Sequence, residues 1–175
     1  AGILTGRINP SGKLAETFPR VYEDTPTGHN GQFGRDDMVC YEEEIMVGYR
    51  HYEKNDILPM FCFGHGLSYT EFAYHDLQVK QDNDAKDRVS ISFDIENVGQ
   101  IDGREIVQIY VRDEECTVIR PEKELKAFKS ITLKAGSVCR VEITLDSMAF
   151  SFYDEKKHDF CVEPGIFEIC VGNST

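Results

Sequence analysis

The sequence contains no tryptophan, no Cys-x-x-Cys pair and no long apolar run. Basic residues are also scarce, since 19 Lys and Arg stand against 31 Asp and Glu and leave a formal net charge of -12. The electrostatic field of this negative charge repels polyphosphate and anionic lipid headgroups, so neither nucleic acid nor a membrane is an expected partner. Apolar runs of a few residues predict no membrane-spanning helix. The 175 residues suffice for one domain plus an extension, and the 41% that are hydrophobic can form its core.

The cysteines lack the spacing of a zinc site or a redox pair, since they stand at positions 40, 62, 116, 139, 161 and 170. Alternation places Cys139 on one face with Val141, whereas Cys170 lies opposite the apolar face of its own segment. Cysteines that face apart are poor disulfide partners. We therefore predict buried or half-buried free thiols, with disulfides as the alternative. Free thiols favour the cytoplasm, although the sequence does not otherwise indicate a compartment.

Metal ligands are not grouped in the sequence, and the five histidines show no pair at metal-ligand spacing on one helix. Residues 82–87 resemble a calcium loop in part, but the glycine and the terminal Glu of such a loop are missing, so we predict a polar turn between strands. Acidic runs at 42–44, 113–115 and 154–155 are typical of a solvated face. We expect no metal ion and no cofactor.

The chain changes character near residue 70. Before it, glycine and proline are frequent and periodicity is weak, with a predicted loop over 25–35 and a predicted helical stretch over 41–52 that Gly48 breaks. From about Phe72 apolar and polar residues alternate, which is typical of half-buried strands. About seven short strands with one dry face each predict a two-sheet antiparallel sandwich. The apolar faces of the clearest strands are Val89, Ile91, Phe93 and Ile95; Val107, Ile109 and Val111; and Val141, Ile143 and Leu145.

Two finer predictions follow from the alternation. Phe150 and Phe152 indicate a further short strand. Tyr110 stands between Ile109 and Val111, which point the other way, so we expect its ring to be exposed.

Segments along nearly the whole chain match, in order, those of a known family. They include Asn-Pro-Ser-Gly-Lys-Leu at 9–14, Thr-Phe-Pro-Arg at 17–20, Gly-Tyr-Arg-His-Tyr at 48–52, and residues 59–70, 97–99, 105–111, 120–128 and 163–165. The ordered set resembles glycoside hydrolase family 3 of the β-glucosidase type. The sequence departs from the family most clearly at Cys62, where proline is usual, and the role of this thiol stays open.

The resemblance implies a parent with a barrel domain, an α/β sandwich domain and a C-terminal fibronectin type III-like domain. Residues 1–70 then correspond to the end of the α/β sandwich domain and a linker, and residues 71–175 to the last domain. The implied fold class is mainly β: an immunoglobulin/fibronectin type III-like antiparallel β-sandwich with an N-terminal extension from the α/β sandwich domain.

The same resemblance bears on catalysis. In this family the nucleophile Asp comes from the barrel, and the acid/base, often a Glu, usually comes from a loop upstream of the segment matched here. Neither motif matches a position of this chain, so it carries no predicted catalytic residue and is expected to be inactive alone. The parent is expected to hydrolyse terminal β-linked sugars by the retaining double displacement.

The expected role is structural, with the upstream catalytic domains of the same parent as partner. The alternative is a glycan-binding accessory module, with carbohydrate as partner, which would need exposed coplanar aromatic rings. A stand-alone adhesion domain is a third hypothesis, and it would not need the segment at 9–14.

The densest aromatic and cationic group is Tyr41, Tyr49, Arg50, His51 and Tyr52. Rings beside an arginine can line a sugar site, so Tyr49, Arg50 and Tyr52 are the candidate substrate-binding residues. They can equally pack a linker onto a neighbouring domain, with Arg50 paired to a carboxylate. The sequence favours packing and leaves both interpretations open.

Overall fold

The computed structural model describes residues 1–31, 39–81 and 88–175. Among the described residues up to position 70, regular structure is limited to a 3-10 turn at Tyr22–Asp24 and two short helices, α1 (Pro26–Asn30) and α2 (Tyr49–Lys54). None of the described helices is long and apolar enough to cross a membrane. The calcium-like turn predicted over 82–87 lies outside the described residues.

Two predictions for the first segment are wrong in part. The loop predicted over 25–35 contains α1, because Thr25 caps the helix by accepting the Gly28 N–H and proline occupies the first helical position. Residues 32–35 of that loop are not described. The helical stretch predicted over 41–52 with a break at Gly48 is helical only after that break, from Tyr49, because Gly48 adopts a positive φ of 57° that a continuous helix does not allow.

The rest of the described chain contains eight antiparallel strands, which are joined by turns and loops. They form the sheets β1-β2-β5 and β4-β3-β8 and the small hairpin β6-β7. The strands are β1 (Phe72–Gln81), β2 (Val89–Asn97), β3 (Gly103–Asp113), β4 (Glu124–Leu133), β5 (Val138–Leu145), β6 (Phe152–Asp154), β7 (Asp159–Cys161) and β8 (Phe167–Gly172). The mainly β sandwich fold is as predicted.

One apolar core fills the space between the two sheets, and the alternation predicted most of it. Ile95, Val107 and Ile109 are fully buried, whereas Val89 and Ile143 pack on the core while half-buried. Full burial of one such side chain contributes about 1.5–3 kcal/mol. The core residues are Ile91, Phe93, Ile95, Val107, Ile109, Val111, Ile131, Leu133, Val141, Leu145, Ala149 and Phe150.

The strand predicted at Phe150 is displaced. A 3-10 turn at Ser147–Ala149 precedes it, and the Asp146 carboxylate caps this turn by accepting the Met148 N–H. Phe150 therefore enters the core from a turn, and the strand starts at Phe152.

All six cysteines are free thiols, as predicted. Cys40 and Cys116 are exposed, because each lies in a loop, and the other four are half-buried. The prediction of buried or half-buried thiols is therefore wrong for these two. Cys139 packs on the core with Val141, and Cys170 lies across from Tyr110 in the pairing of β8 with β3.

Candidate functional site

Helix α2 packs on the outer face of the β4-β3-β8 sheet. The Tyr49 ring meets Tyr110 edge-on with centroids 5.9 Å apart and lies 5.2 Å from Phe63. The Tyr49 hydroxyl accepts the Leu125 N–H at 2.8 Å, which ties the helix to β4. The interface between the first segment and the sandwich is the best-defined candidate site in the described chain.

Tyr110 is only 1% exposed, so the prediction of an exposed ring is wrong. Alternation predicts correctly that it leaves the sandwich core, but the first segment covers the face on which it emerges. Its hydroxyl donates to Gln108, whose amide nitrogen donates to the Asn173 carbonyl at 3.2 Å. Burial raises the pKa of Tyr110 well above its usual range, so its hydroxyl stays protonated and able to donate.

Three ion pairs join α2 to the start of β4. Arg50 lies 3.2 Å from Glu124, as the packing interpretation anticipated for a carboxylate partner. Lys123 lies 2.8 Å from Glu53. The third pair joins Lys54 to Glu122 at 3.7 Å and is more exposed. Partly buried pairs of this kind fix the register of a helix on a sheet more than they add stability.

Arg120 anchors the sandwich side of this interface. Its guanidinium lies 2.9 Å from Asp113 and 3.1 Å from Glu124, and it donates to the Phe150 and Ser151 carbonyls at 3.3 Å each. Burial alone would raise the pKa of Glu124, but Lys126 and the two arginines outweigh it and lower that pKa. Glu124 is therefore a carboxylate shared between α2 and the core of the sandwich.

His51 is buried on the far side of α2. Its Nε2 lies 3.1 Å from the Asp24 carbonyl oxygen, and its Nδ1 lies 3.2 Å from the amide nitrogen of Asn55. A carbonyl only accepts and an amide NH₂ only donates, so these partners assign a neutral ring protonated at Nε2. Burial lowers the pKa of His51, and the His29 ring 5.3 Å away lowers it further.

Two concave surfaces border this interface. A cavity of about 500 Å³ lies between α2 and the place where Phe18 pairs with Phe61. Two of its lining residues, Thr17 and Glu53, each bury one oxygen without a hydrogen-bond partner among the described residues. A wider groove of about 800 Å³ lies between the loop before α2 and the β6-β7 hairpin, which carries Tyr153.

The three predicted site residues lie together at this interface. Tyr49 and Arg50 contact the sandwich directly, and Tyr52, 5% exposed, lines the 500 Å³ cavity with Tyr49. Sequence reasoning predicts an exposed Tyr110 ring and does not place it at this interface, since no local signal shows that a distant segment covers the outer sheet face. It also assigns no role to Glu124, although the segment 120–128 is one of those that resemble the family. No group of three or more His, Cys, Asp or Glu within the described residues is placed to hold a metal ion.

Comparison with known proteins agrees with this architecture. Residues 105–175 match the family model described as a fibronectin type III-like domain. The whole chain is 47% identical to the thermostable beta-glucosidase B of Acetivibrio thermocellus, of which it covers 23%. It is 43% identical to the probable beta-glucosidase K of Emericella nidulans and covers 20% of that protein.

Solved structures give the same result. The GH3 beta-glucosidase of Bifidobacterium adolescentis matches 100% of this chain with a TM-score of 0.93 and 36% identity, over 26% of its own length. This chain belongs to glycoside hydrolase family 3. Beta-glucosidase 3B of Thermotoga neapolitana, solved in complex with glucose, matches 99% of the family 3 chain described here with a TM-score of 0.89 and 38% identity, over 24% of its own length.

The family 3 chain spans about a fifth to a quarter of the length of the relatives that it matches. The matched region is their C-terminal part. The family, the fold class and the correspondence to a C-terminal part of a β-glucosidase are therefore confirmed, while the boundary at residue 70 stays a prediction.

Proposed function

We propose that this chain is the C-terminal brace of a longer β-glucosidase-like enzyme that hydrolyses terminal β-linked sugars. The observation that carries the proposal is the full-length match to only 20–26% of such relatives. In this proposal the remaining part of the parent supplies the catalytic carboxylates, and this chain supplies none.

A brace needs a rigid attachment between its two parts, and the α2 interface supports this role. The contact of Tyr49 with Tyr110 and the Arg50–Glu124 pair hold the first segment on the sandwich. Packing is accordingly the role that we propose for Tyr49, Arg50 and Tyr52, in preference to substrate binding.

A chimera tests the proposal. The C-terminal part of the Acetivibrio thermocellus enzyme is replaced by this chain, and hydrolysis of an aryl β-glucoside is compared with that of the truncated relative. We expect the chimera to be active, the truncated relative to be inactive or thermally labile, and this chain alone to show no turnover. Turnover by this chain alone that disappears when one of its own carboxylates is replaced would overturn the proposal.

A glycan-binding module is the second candidate, because Tyr153 and Phe160 are exposed by 51% and 54% beside the 800 Å³ groove. Their rings meet at 74° with centroids 5.4 Å apart, which is an edge-on pair and not a flat platform for a sugar. We expect no saturable NMR shifts with cello- or laminari-oligosaccharides at millimolar concentration. Saturable shifts at Tyr49, Arg50 and Tyr52, lost on substitution by Ala, would favour the binding module.

A further inference from the structure

We propose that the 500 Å³ cavity between α2 and the Phe18–Phe61 pairing is the docking site for the rest of the parent polypeptide, which inserts a hydrogen-bond-donating side chain beside Glu53 and Thr17. The inference rests on the proposed function, and it adds the surface involved and the chemistry of the partner group.

The rim of this cavity is apolar and open. Leu58 and Met60 are 72% and 56% exposed, and the neighbouring rings of Phe18 and Phe61 are also exposed. Exposed apolar side chains clustered around one concavity mark an interaction surface, whereas isolated ones do not. The rim therefore supplies the hydrophobic part of a docking site.

The floor of the cavity is polar and incompletely paired. Glu53 uses Oε1 to pair with Lys123 at 2.8 Å, but its Oε2 is buried and has no partner in the described part of the chain. The same holds for the hydroxyl of Thr17. A carboxylate oxygen only accepts, so the incoming group must be an N–H or O–H donor. Buried polar atoms are nearly always paired in native proteins, which makes a missing partner informative.

Charge and chain length favour the rest of the parent polypeptide as the occupant over a second copy of this chain. A net charge of -12 opposes self-association and attracts a basic group. The relatives carry roughly three-quarters of their length outside the matched region, which provides a large covalently linked partner. A Lys, Arg or amide side chain from that part can donate to the acceptor at Glu53 while its methylene groups pack against the apolar rim.

The first test uses Thr17→Val, which keeps the side-chain shape and removes the hydroxyl. In the chain alone the hydroxyl has no partner among the described residues, so the variant should unfold at the same denaturant concentration as the wild type or a higher one. In the chimera the hydroxyl gains a partner, and the half-life of activity at elevated temperature should fall about fivefold. Thr132→Val, at an exposed position of β4, is the matched control and should change neither measurement.

The second test compares Glu53→Gln with Lys123→Gln. Both remove the same ion pair, but Lys123→Gln also removes the ammonium from over the Tyr110 ring and leaves the Glu53 carboxylate without its cation, so in the chain alone it should lower the unfolding midpoint at least as much as Glu53→Gln does. In the chimera Glu53→Gln should cost more than Lys123→Gln, by about fivefold in half-life, because only Glu53 also accepts from the docked group.

The outcomes separate the two proposals. An inactive wild-type chimera counts against the brace itself. An active chimera in which Thr17→Val and Glu53→Gln behave as their controls overturns only the docking site. Protection of the isolated chain by an oligosaccharide, abolished by Glu53→Gln, would make the occupant a glycan, and a concentration-dependent dimer abolished by Phe61→Asp would make it a second copy. Either result overturns the inference.

Discussion

At the scale of single residues, buried polar side chains carry the most specific information about this molecule. His51 and Arg120 are both buried, and every contact described for them depends on one protonation state. A neutral ring satisfies the partners of His51, and a permanent cation satisfies those of Arg120. Protonation of His51 and substitution of Arg120 should therefore both be costly, for opposite electrostatic reasons.

Acidification should destabilise the chain through His51. Its folded pKa lies below the unfolded value of 6.5, so the unfolded state binds more protons between these two values. The contribution of the neutral ring is complete above about pH 6.5 and is lost progressively as the pH falls towards the folded pKa. Urea midpoints measured between about pH 5 and about pH 8 should show this loss, since carboxylates titrate mainly lower.

Replacing His51 by Gln should remove this part of the pH dependence, while His158→Gln at an exposed position should leave it unchanged. An identical slope in the wild type and in His51→Gln would refute the assignment of a neutral ring.

Arg120→Met should cost about 3–5 kcal/mol, because it leaves the Asp113 carboxylate buried without its cation and removes one of the three cations that pair with Glu124. Arg112→Met is the matched control, since its pairs with Glu122 and Glu168 are about half-exposed and worth about 0–1 kcal/mol. Denaturant unfolding measures both values. Equal small effects would mean that the Arg120 cluster is hydrated and structurally dispensable.

At the scale of elements, the docking of α2 gives the first segment its fixed position. A helix of six residues is too short to be stable alone, so its contacts with the sheet must hold it. Tyr49 contributes both a ring against Tyr110 and an acceptor for the Leu125 N–H. The helix and β4 are therefore expected to loosen together.

Tyr49→Phe should keep the ring contacts and remove only the acceptor. The Leu125 N–H is then left unpaired in a partly buried position, at a cost of about 1–3 kcal/mol. Tyr153→Phe on the exposed hairpin should cost almost nothing. Amide hydrogen exchange should show faster exchange at Leu125 in Tyr49→Phe alone, and unchanged exchange there would contradict the contact.

At the scale of the whole molecule, the sandwich and the first segment have unequal roles. Every residue of the buried apolar core belongs to the sandwich, from Ile91 to Phe150. The first segment covers the outer face of β3 and leaves many of its own apolar side chains exposed, including Leu4, Leu58 and Leu67. These exposed side chains support the proposed role of the first segment as a connector between the sandwich and the rest of the parent.

A shortened chain of residues 68–175 should unfold in one cooperative transition, because it keeps the entire core. Its stability should be lower than that of the full chain, since Tyr110 and Gln108 lose their cover. Circular dichroism and intrinsic fluorescence should report the same midpoint. A broad transition that differs between the two probes would show that the first segment completes the core, and would place the boundary elsewhere than residue 70.

The sequence by itself determined the sandwich. Apolar residues alternate with polar ones at Ile91, Phe93 and Ile95, and a strand with this pattern can bury only one face. The residues that the pattern assigns to that face are the ones found in the core. It determined the family too, through an ordered set of short segments. It also brought Tyr49 and Arg50 to attention, because aromatic and cationic side chains are dense around them.

Only the tertiary structure decided what covers the other face. Alternation states that Tyr110 turns away from the core, but whether it then meets water or Tyr49 depends on a segment distant in sequence. The unpaired oxygens of Thr17 and Glu53 are equally invisible in the sequence, because pairing is a property of distance. Period and composition describe a residue's own element, whereas burial of its outer face depends on which distant element the chain brings against it.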